Sequence, residues 1–279
     1  MKKSIFSLIA CASMAVMVLF SSCGTSTEKD NSKADANADV VDASWDKVKE
    51  SGKLILGLDA TFKPMGYTDE NDEIVGFDID LAKEVCKRLD IELETYGVNW
   101  DTKEVDLDAG TIDCIWNGLS VSDERKKVML MSDPYMENEM VFVVNEGSEI
   151  KTMDDLKGKK IAVQNGSTAQ EILLASEIAA DITVAELATN VEALTNLEMD
   201  MCDAVFLDSV VANYEITTAE KPFTVLEEGL SPEQYAIGFR LGDQALCEKI
   251  VETLKEMKAD GTIEKISTEW FGSDVTCIG

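Results

Sequence analysis

The sequence contains no histidine in 279 residues. That absence removes the Ser-His-Asp and Cys-His catalytic relays and any histidine-ligated metal site. No HExxH, CxxC, GxxxxGKS/T or GxGxxG stretch occurs either. The zinc-protease, dithiol, phosphate-loop and dinucleotide fingerprints are therefore missing. Positive charge is scarce: 25 lysines and arginines stand against 54 acids, a formal net charge of −29. Such a chain repels nucleic acid and anionic membrane surfaces, and no basic stripe offsets this. Arginine is the rarest cation, at positions 88, 125 and 240. Arg88 stands beside Lys87 in a helical pattern and Arg240 ends a strand; both read as solvated surface. Arg125 closes "NGLSVSDER" (117–125), after a strand, a glycine and a serine, and its setting calls for a specific partner.

At the N-terminus, "MKKSIFSLIACASMAVMVLFSSCG" places two lysines before an apolar run from Ile5 to Phe20, then small residues up to Cys23. This is the pattern of a secretory signal, and it is shorter than a typical membrane span. Phe20-Ser21-Ser22-Cys23 is similar to a bacterial lipobox, in which the cysteine is lipidated and becomes the new N-terminus. Ordinary cleavage near Cys23 without lipid is the alternative. Residues 1–22 are read as the signal peptide and 23–43 as the lipidated cysteine with a disordered tether. A flexible tether of this length spans about 25 Å. Beyond it lie Cys86, Cys114, Cys202, Cys247 and Cys277, an odd number that argues against a full disulfide framework. A Cys247–Cys277 bridge stays open.

Apolar residues make up 45 %, enough for a sizeable core. "KLILGLDA", "IELETYGV", "DCIWNGL", "KKIAVQNG", "DITVAELA" and "DAVFLDS" read as strands with helical patterns between them. "FDIDLAKEVCKRLD" has apolar residues at three- and four-residue spacing and predicts a helix, with Asp78 as its cap. A hairpin is expected around Glu70-Asn71-Asp72. Repeated β-α-β units predict parallel sheets covered by helices. "MVFVVNEG" (140–147) and "EQYAIGFRLG" (233–242) break that rhythm and read as two crossing strands. They divide the chain into lobe 1, residues 44–143 plus 236–279, and lobe 2, residues 144–235. One continuous doubly wound sheet is the alternative that periodicity leaves open.

In open α/β sheets, ligands bind beyond the carboxyl ends of the strands. Those ends carry Asp59 and Phe62; Asn117, Gly118, Ser120 and Arg125; Gln164, Asn165, Gly166, Ser167 and Thr168; and Asp208. "WNGLS" and "QNGST" echo each other as strand, Asn-Gly, hydroxyl residue, then helix. Glycine admits close backbone approach. A hydroxyl caps a helix whose free N–H groups favour an anion, and Arg125 adds a planar fork suited to a carboxylate. Asp59 and Asp208 supply negative charge, so the set complements a zwitterion. Taken singly, each residue has a plainer role. Ser120, Ser167 and Thr168 suit helix caps, Asp208 an N-cap, Arg125 a surface pair with Asp123 or Glu124, and Phe62 and Trp100 the core. Joint placement at strand ends favours a site.

The stretches "LDATFKPMGYTDENDEIVGFDIDLAKEV", "GLSVSDERKKVMLMSDPY", "DLKGKKIAVQNGST", "DAVFLDS", "YAIGFR" and "MKADGTIEKISTEWFG" occur in the order and spacing of a known family. Over about residues 45–272 the chain resembles the polar amino-acid family of bacterial ABC-transporter solute-binding proteins. The resemblance implies a two-lobed α/β periplasmic-binding-protein fold of type II. Each lobe is a sheet flanked by helices, and two hinge strands join them around a ligand cleft. It implies that Arg125 grips the ligand α-carboxylate beside Ser120, and that the Gly118 carbonyl receives the α-ammonium. Thr168, with Ser167 before it, matches the second-lobe helix start that also binds the carboxylate. Asp208 matches the acid that pairs with the α-ammonium. Asp59 and Phe62 match the segment that meets the ligand side chain, Trp100 takes the second aromatic place, and Gln164 stands where some relatives carry Lys or Arg. The implied function is that of a monomeric, non-enzymatic receptor outside the cytoplasm, tethered to the membrane through Cys23. It would hand a free L-amino acid with a polar or cationic side chain to an ABC permease, without cofactor or metal. Cystine, glutamine, and lysine or arginine all stay open as ligands. An exported dehydratase acting on cyclohexadienyl acids, built on a similar scaffold, is the alternative.

Overall fold

The computed structural model describes residues 42–228 and 231–279. The expected signal peptide, Cys23 and nearly all of the expected tether lie outside the described residues. In chain order the strands are β1 (Lys53–Leu58), β2 (Thr61–Phe62), β3 (Gly66–Thr68), β4 (Ile74–Val75), β5 (Glu92–Gly97), β6 (Cys114–Ser120), β7 (Leu130–Met131), β8 (Met136–Asn145), β9 (Lys160–Gln164), β10 (Thr183–Leu187), β11 (Ala204–Asp208), β12 (Phe223–Val225) and β13 (Ser231–Phe239). The helices are α1 (Ser44–Ser51), α2 (Phe77–Leu89), α3 (Lys103–Asp108), α4 (Arg125–Val128), α5 (Thr168–Ala175), α6 (Asn190–Glu198), α7 (Ser209–Thr217), α8 (Gln244–Ala259) and α9 (Thr262–Phe271).

Strands covered on both faces read as continuous apolar runs, and β6 and β11 are buried along their whole length. β1 lies parallel between β5 and β6, and β9 lies parallel between β10 and β11. The two halves are joined by the long strands β8 and β13. β8 runs antiparallel to β11, β13 runs antiparallel to β6, and the two pair with each other from Ser231↔Met140 to Tyr235↔Met136. The strand order is β10-β9-β11-β8-β13-β6-β1-β5. The antiparallel crossing strands carry the backbone ladder from one half of the chain into the other, so the sheet is continuous without being a doubly wound parallel one. β8 begins at Met136, earlier than its apolar run. Its first residues alternate buried and exposed, and continuous burial starts at Met140. The expected hairpin is formed by β3 and β4.

Three expectations are corrected. Asp78 is not the cap of α2. Its side chain is fully buried and accepts the Gly118 N–H at 2.7 Å and the Tyr135 hydroxyl at 2.9 Å. Arg88 is not simply solvated: it pairs with Glu84 at 3.0 Å and Asp260 at 2.8 Å and donates to the Thr262 hydroxyl, tying α2 to the start of α9. Arg240 likewise donates to the Leu107 and Ile112 carbonyls and pairs with Asp243 at 2.8 Å, clamping the end of β13 to the α3–β6 connection. For both arginines, acids and carbonyls at element ends meet the cation, which periodicity does not reveal. The five cysteines of the described residues are free, so the Cys247–Cys277 bridge is not formed.

Candidate ligand-binding site

The end of β1 is fixed from the neighbouring strand: Asn117 Oδ1 accepts the Asp59 N–H at 3.0 Å. Asp59 Oδ1 then takes the Thr61 N–H at 2.9 Å and its hydroxyl at 2.7 Å. The other oxygen, Oδ2, accepts Gln164 Nε2 at 2.8 Å from the far side of the cleft. Gln164 is held in that pose by the Ala188 carbonyl at 3.1 Å and by Asn190 at 3.3 Å.

Gly118 has φ +57° inside β6. A Cβ there would stand 2.7 Å from Phe62 Cε1 and 3.2 Å from the Tyr235 ring, so two aromatic rings close on its backbone. The register of β13 against β6 shifts beside it, between the Leu119 and Ile115 pairs. Past Ser120 the chain loops into the short helix α4. Arg125 folds back, and Nη1 donates to the Ser120 carbonyl at 2.8 Å. Nη2 reaches the Gly166 carbonyl, across the cleft, at 3.5 Å. The side chain is 4 % exposed, and burial lowers its pKa. The surface pair with Asp123 or Glu124 does not form, because those acids pair with Lys126 and Lys127.

On the other wall, Ser167 caps α5. Its hydroxyl oxygen accepts the Gln170 N–H at 3.1 Å, and its proton goes to the Gln164 carbonyl at 2.7 Å. The adjacent Thr168 hydroxyl is buried and has no partner among the described residues. Asp208 occupies the N-cap position of α7, yet its side chain does not cap. Instead Oδ1 accepts the Tyr235 hydroxyl at 2.6 Å and Asn138 Nδ2 at 3.0 Å. Burial raises the Asp208 carboxyl above its ordinary range.

These side chains converge. Phe62, Trp100, Gly118, Ser120, Arg125, Gln164, Ser167, Thr168 and Asp208 line one cavity between the lobes. Asp59, also predicted for the site, stands one hydrogen bond behind Gln164 and does not line the cavity. Met140, from the crossing strand β8, joins the lining and was not predicted. The cavity measures about 10 Å³, room for about one water molecule. A groove of about 790 Å³ opens beside it and shares Thr168.

Three polar residues of the site escape sequence reasoning. Lys103 is 2 % exposed. Its Nζ donates to the Trp100 carbonyl at 3.0 Å and, across the cleft, to the Gly166 carbonyl at 3.1 Å, and it pairs with Glu104 at 2.9 Å. Burial pushes its pKa down to about 8. Asn138 and Glu233, on the two crossing strands, stand behind Asp208 and Ser120. No sequence signal marks either one. Among the described residues, no group of three His, Cys, Asp or Glu residues is arranged to hold a metal ion, and no helix is long and apolar enough to cross a membrane.

Residues 54–273 match the family of bacterial extracellular solute-binding proteins, family 3. The L-cystine-binding protein TcyJ of Escherichia coli (strain K12) is 32 % identical over 233 residues, covering 82 % of this chain and 86 % of that protein. Among solved structures, Tv2483 bound to L-arginine is similar at TM-score 0.82 and 33 % identity, over 85 % of this chain and 98 % of that one. An ABC uptake transporter substrate-binding protein from Streptococcus pneumoniae with bound histidine is similar at TM-score 0.82 and 35 % identity, over the same shares of 85 % and 98 %. The chain therefore belongs to the bacterial extracellular solute-binding proteins, family 3, and has their two-lobed type II periplasmic-binding fold.

Proposed function

We propose that this chain is the receptor of an ABC importer for a free L-amino acid with a polar or cationic side chain. One observation carries the reading. A single interlobe cavity joins a buried guanidinium, Arg125, and an unpartnered hydroxyl, Thr168, to a buried carboxylate, Asp208. A molecule bearing a carboxylate and an ammonium on one carbon satisfies all three. Arg125 and the start of α5 hold the carboxylate; Asp208 and the Gly118 carbonyl hold the ammonium. Phe62 and Trp100 flank the side chain, and the Asp59–Gln164 pair meets its end. The names of the similar proteins, cystine-, arginine- and histidine-bound, span the same ligand class.

A cavity of about 10 Å³ admits no amino acid, so the ligand enters when the lobes part. Closure then rotates residues 144–235 against 44–143 and 236–279. The bonds Gln164–Asp59, Lys103–Gly166 and Arg125–Gly166 already cross the cleft in this closed arrangement. The ligand carboxylate takes over the Arg125 bond to Gly166. A lipid on Cys23 holds the monomeric receptor near its permease, and Cys23→Ser would release it from membrane pellets while leaving binding intact.

The test is a thermal-shift screen of free L-amino acids, followed by calorimetry. A ligand at a thousand times its Kd stabilises the native state by about 4 kcal/mol. A polar or cationic amino acid is expected to raise Tm strongly and its α-amide only weakly. A flat response to every amino acid would overturn the reading.

A further inference from the structure

Behind the ammonium end of the cavity, outside its lining, a second acid joins Asp208, and the receptor reading uses only Asp208. The second is Glu233. It lies in β13 opposite Asn138 of β8, a cross-strand pair in the ladder that links the lobes. The orientation of the Asn138 amide is fixed from behind. Its Oδ1 accepts the Ser209 hydroxyl at 3.1 Å and the Val210 N–H at 3.4 Å, at the start of α7. Its Nδ2 must therefore face the acids, and it donates to both: Asp208 Oδ1 at 3.0 Å and Glu233 Oε1 at 2.6 Å. The Ser120 hydroxyl adds a bond to Glu233 Oε1 at 3.1 Å, and the Tyr235 hydroxyl one to Asp208 Oδ1 at 2.6 Å. Glu233 Oε2 is buried, and no donor among the described residues reaches it. The two carboxyl groups thus share one amide nitrogen, Asn138 Nδ2, which sets them side by side. Carboxyls so placed cannot both ionise, and one proton stays between them.

We infer that Glu233 is a positioning residue that keeps this proton against Asp208 in the free receptor, and that an arriving ammonium group displaces the proton to solvent. The inference rests on the receptor reading of the cavity. The charges balance: one proton on two carboxylates, or one ammonium on two carboxylates, leaves the subsite with the same net charge. The O–H···O bond is lost, N–H···O bonds replace it, and the proton passes to buffer.

The surroundings keep the proton in place at neutral pH. Burial first, then the Asp208 charge, pushes Glu233 up to about 8. Arg125 is the cation acting on Asp208, but its guanidinium is turned to the Ser120 and Gly166 carbonyls. Burial keeps the Tyr235 hydroxyl well above its ordinary value, so it stays a donor. On the outer side of Glu233, the groove carries Asp123, Glu137 and Glu171, all negative. Because binding releases a proton, affinity rises with pH, by about tenfold per unit below about pH 8, and levels off above.

Calorimetry tests this with L-arginine, L-glutamine and L-cystine in turn, at pH 6.5 in phosphate and in bis-Tris, whose ionisation enthalpies differ widely. Binding is expected to release close to one proton per ligand, seen as a buffer-dependent heat, with Kd tightening about tenfold per unit between pH 6 and 7.5. Glu233→Gln, a neutral stand-in for the protonated acid, should bind with no proton release and a flat pH profile. Equal wild-type heats in the two buffers would overturn the inference while leaving the receptor intact, and so would proton release that persists in Glu233→Gln. The wild-type measurement stands even if the variant does not fold. Failure of every free amino acid to bind would overturn the receptor reading itself, and this one with it.

Discussion

Asn117-Gly118 and Asn165-Gly166 each set a left-handed glycine behind an asparagine, at φ +57° and +68°, and the sequence gives both the same continuation into a helix. The structure separates them. β6 runs on through Ser120, buried throughout, and α4 starts only at Arg125. The Ser120 hydroxyl caps nothing and turns to Glu233. β9, by contrast, stops at Gln164, and Ser167 caps α5 at once. The cause lies in pairing. β13 pairs with β6 on both sides of Gly118, at Ile115 before it and at Leu119 and Ser120 after it, so that ladder absorbs the excursion as an irregularity and continues. β9 ends its register at Gln164: the Asn165 N–H still donates to the Leu187 carbonyl of β10, and the Gly166 N–H is the first to turn to α5, at the Gln170 side chain. A dipeptide specifies a local deflection; the neighbouring strands decide whether the chain resumes or turns. The consequence is a division of labour, in which lobe 1 contributes a side-chain fork and lobe 2 a helix end.

The comparison breaks most sharply at the fork. Arg125→Ala is expected to cost about 2–5 kcal/mol of ligand binding, much of it from the carboxylate left unpaired. That is a loss of about 30-fold to several thousand-fold in affinity. A folded variant with near-native affinity in calorimetry would show that Arg125 does not hold the ligand. Next come the two glycines. An alanine at 118 must displace the Phe62 ring within its own lobe and adopt a left-handed backbone. The expected loss is about 1–3 kcal/mol of folding stability, read by urea melts. An alanine at 166 meets the Asp101 Cα of the other lobe at 2.6 Å. Its larger effect should therefore fall on closure, with affinity down about tenfold, or about 1.4 kcal/mol, and a smaller loss in the ligand-free melt. Equal stability losses with unchanged affinity would erase the distinction.

Finer contrasts lie at α5 and α2. Ser167→Ala removes a cap and should lower stability by about 1 kcal/mol. Thr168→Val removes an unpartnered hydroxyl, so the free protein should melt unchanged while affinity falls by about 1 kcal/mol, roughly fivefold; the reverse pattern would exchange their roles. Asp78, which accepts the Gly118 N–H, is pushed by burial up to about 7, against about 3.9 when unfolded. Between those values the native state binds more protons than the unfolded one, so the Asp78 contribution to stability falls as pH rises through that window. Asp78→Asn keeps an acceptor for Gly118 and should flatten the decline between pH 5 and 7.5. Identical pH profiles for both proteins would contradict it.

The strands that carry the site were legible because parallel strands covered on both faces are continuous apolar runs, and their ends then mark where ligands bind. Arg125 was legible because an acidic chain that uses lysine elsewhere placed an arginine after a strand end. Glu233 was not, because one acid among 54 in "SPEQY" carries no mark; its place beside Asp208 comes from its pairing with Asn138 across the crossing strands. Lys103 looked like any surface lysine. It is buried by the turn at Trp100 and by Gly166, a residue 63 positions away. Arg88 and Arg240 were misread for the same reason: their partners Asp260 and Leu107 are distant in sequence and adjacent only in the fold. Side chains whose role depends on one long-range neighbour leave no periodic trace.

The ladder that runs unbroken from β10 to β5 has a consequence for how the receptor opens. An opening taken up as sheet twist would rupture no backbone bonds, with β8 and β13 as a torsion bar. Their amides should exchange slowly with deuterium in both the empty and the loaded receptor. Faster exchange on emptying should be confined to the rim, around Asp101 and Gly166. Opening has to break the side-chain contacts that cross the cleft, among them those of Gln164, Lys103 and Arg125 and the Tyr67–Tyr214 ring pair. A ligand that bridges the lobes adds its own contacts to that set, so loading shifts the balance toward the closed cleft.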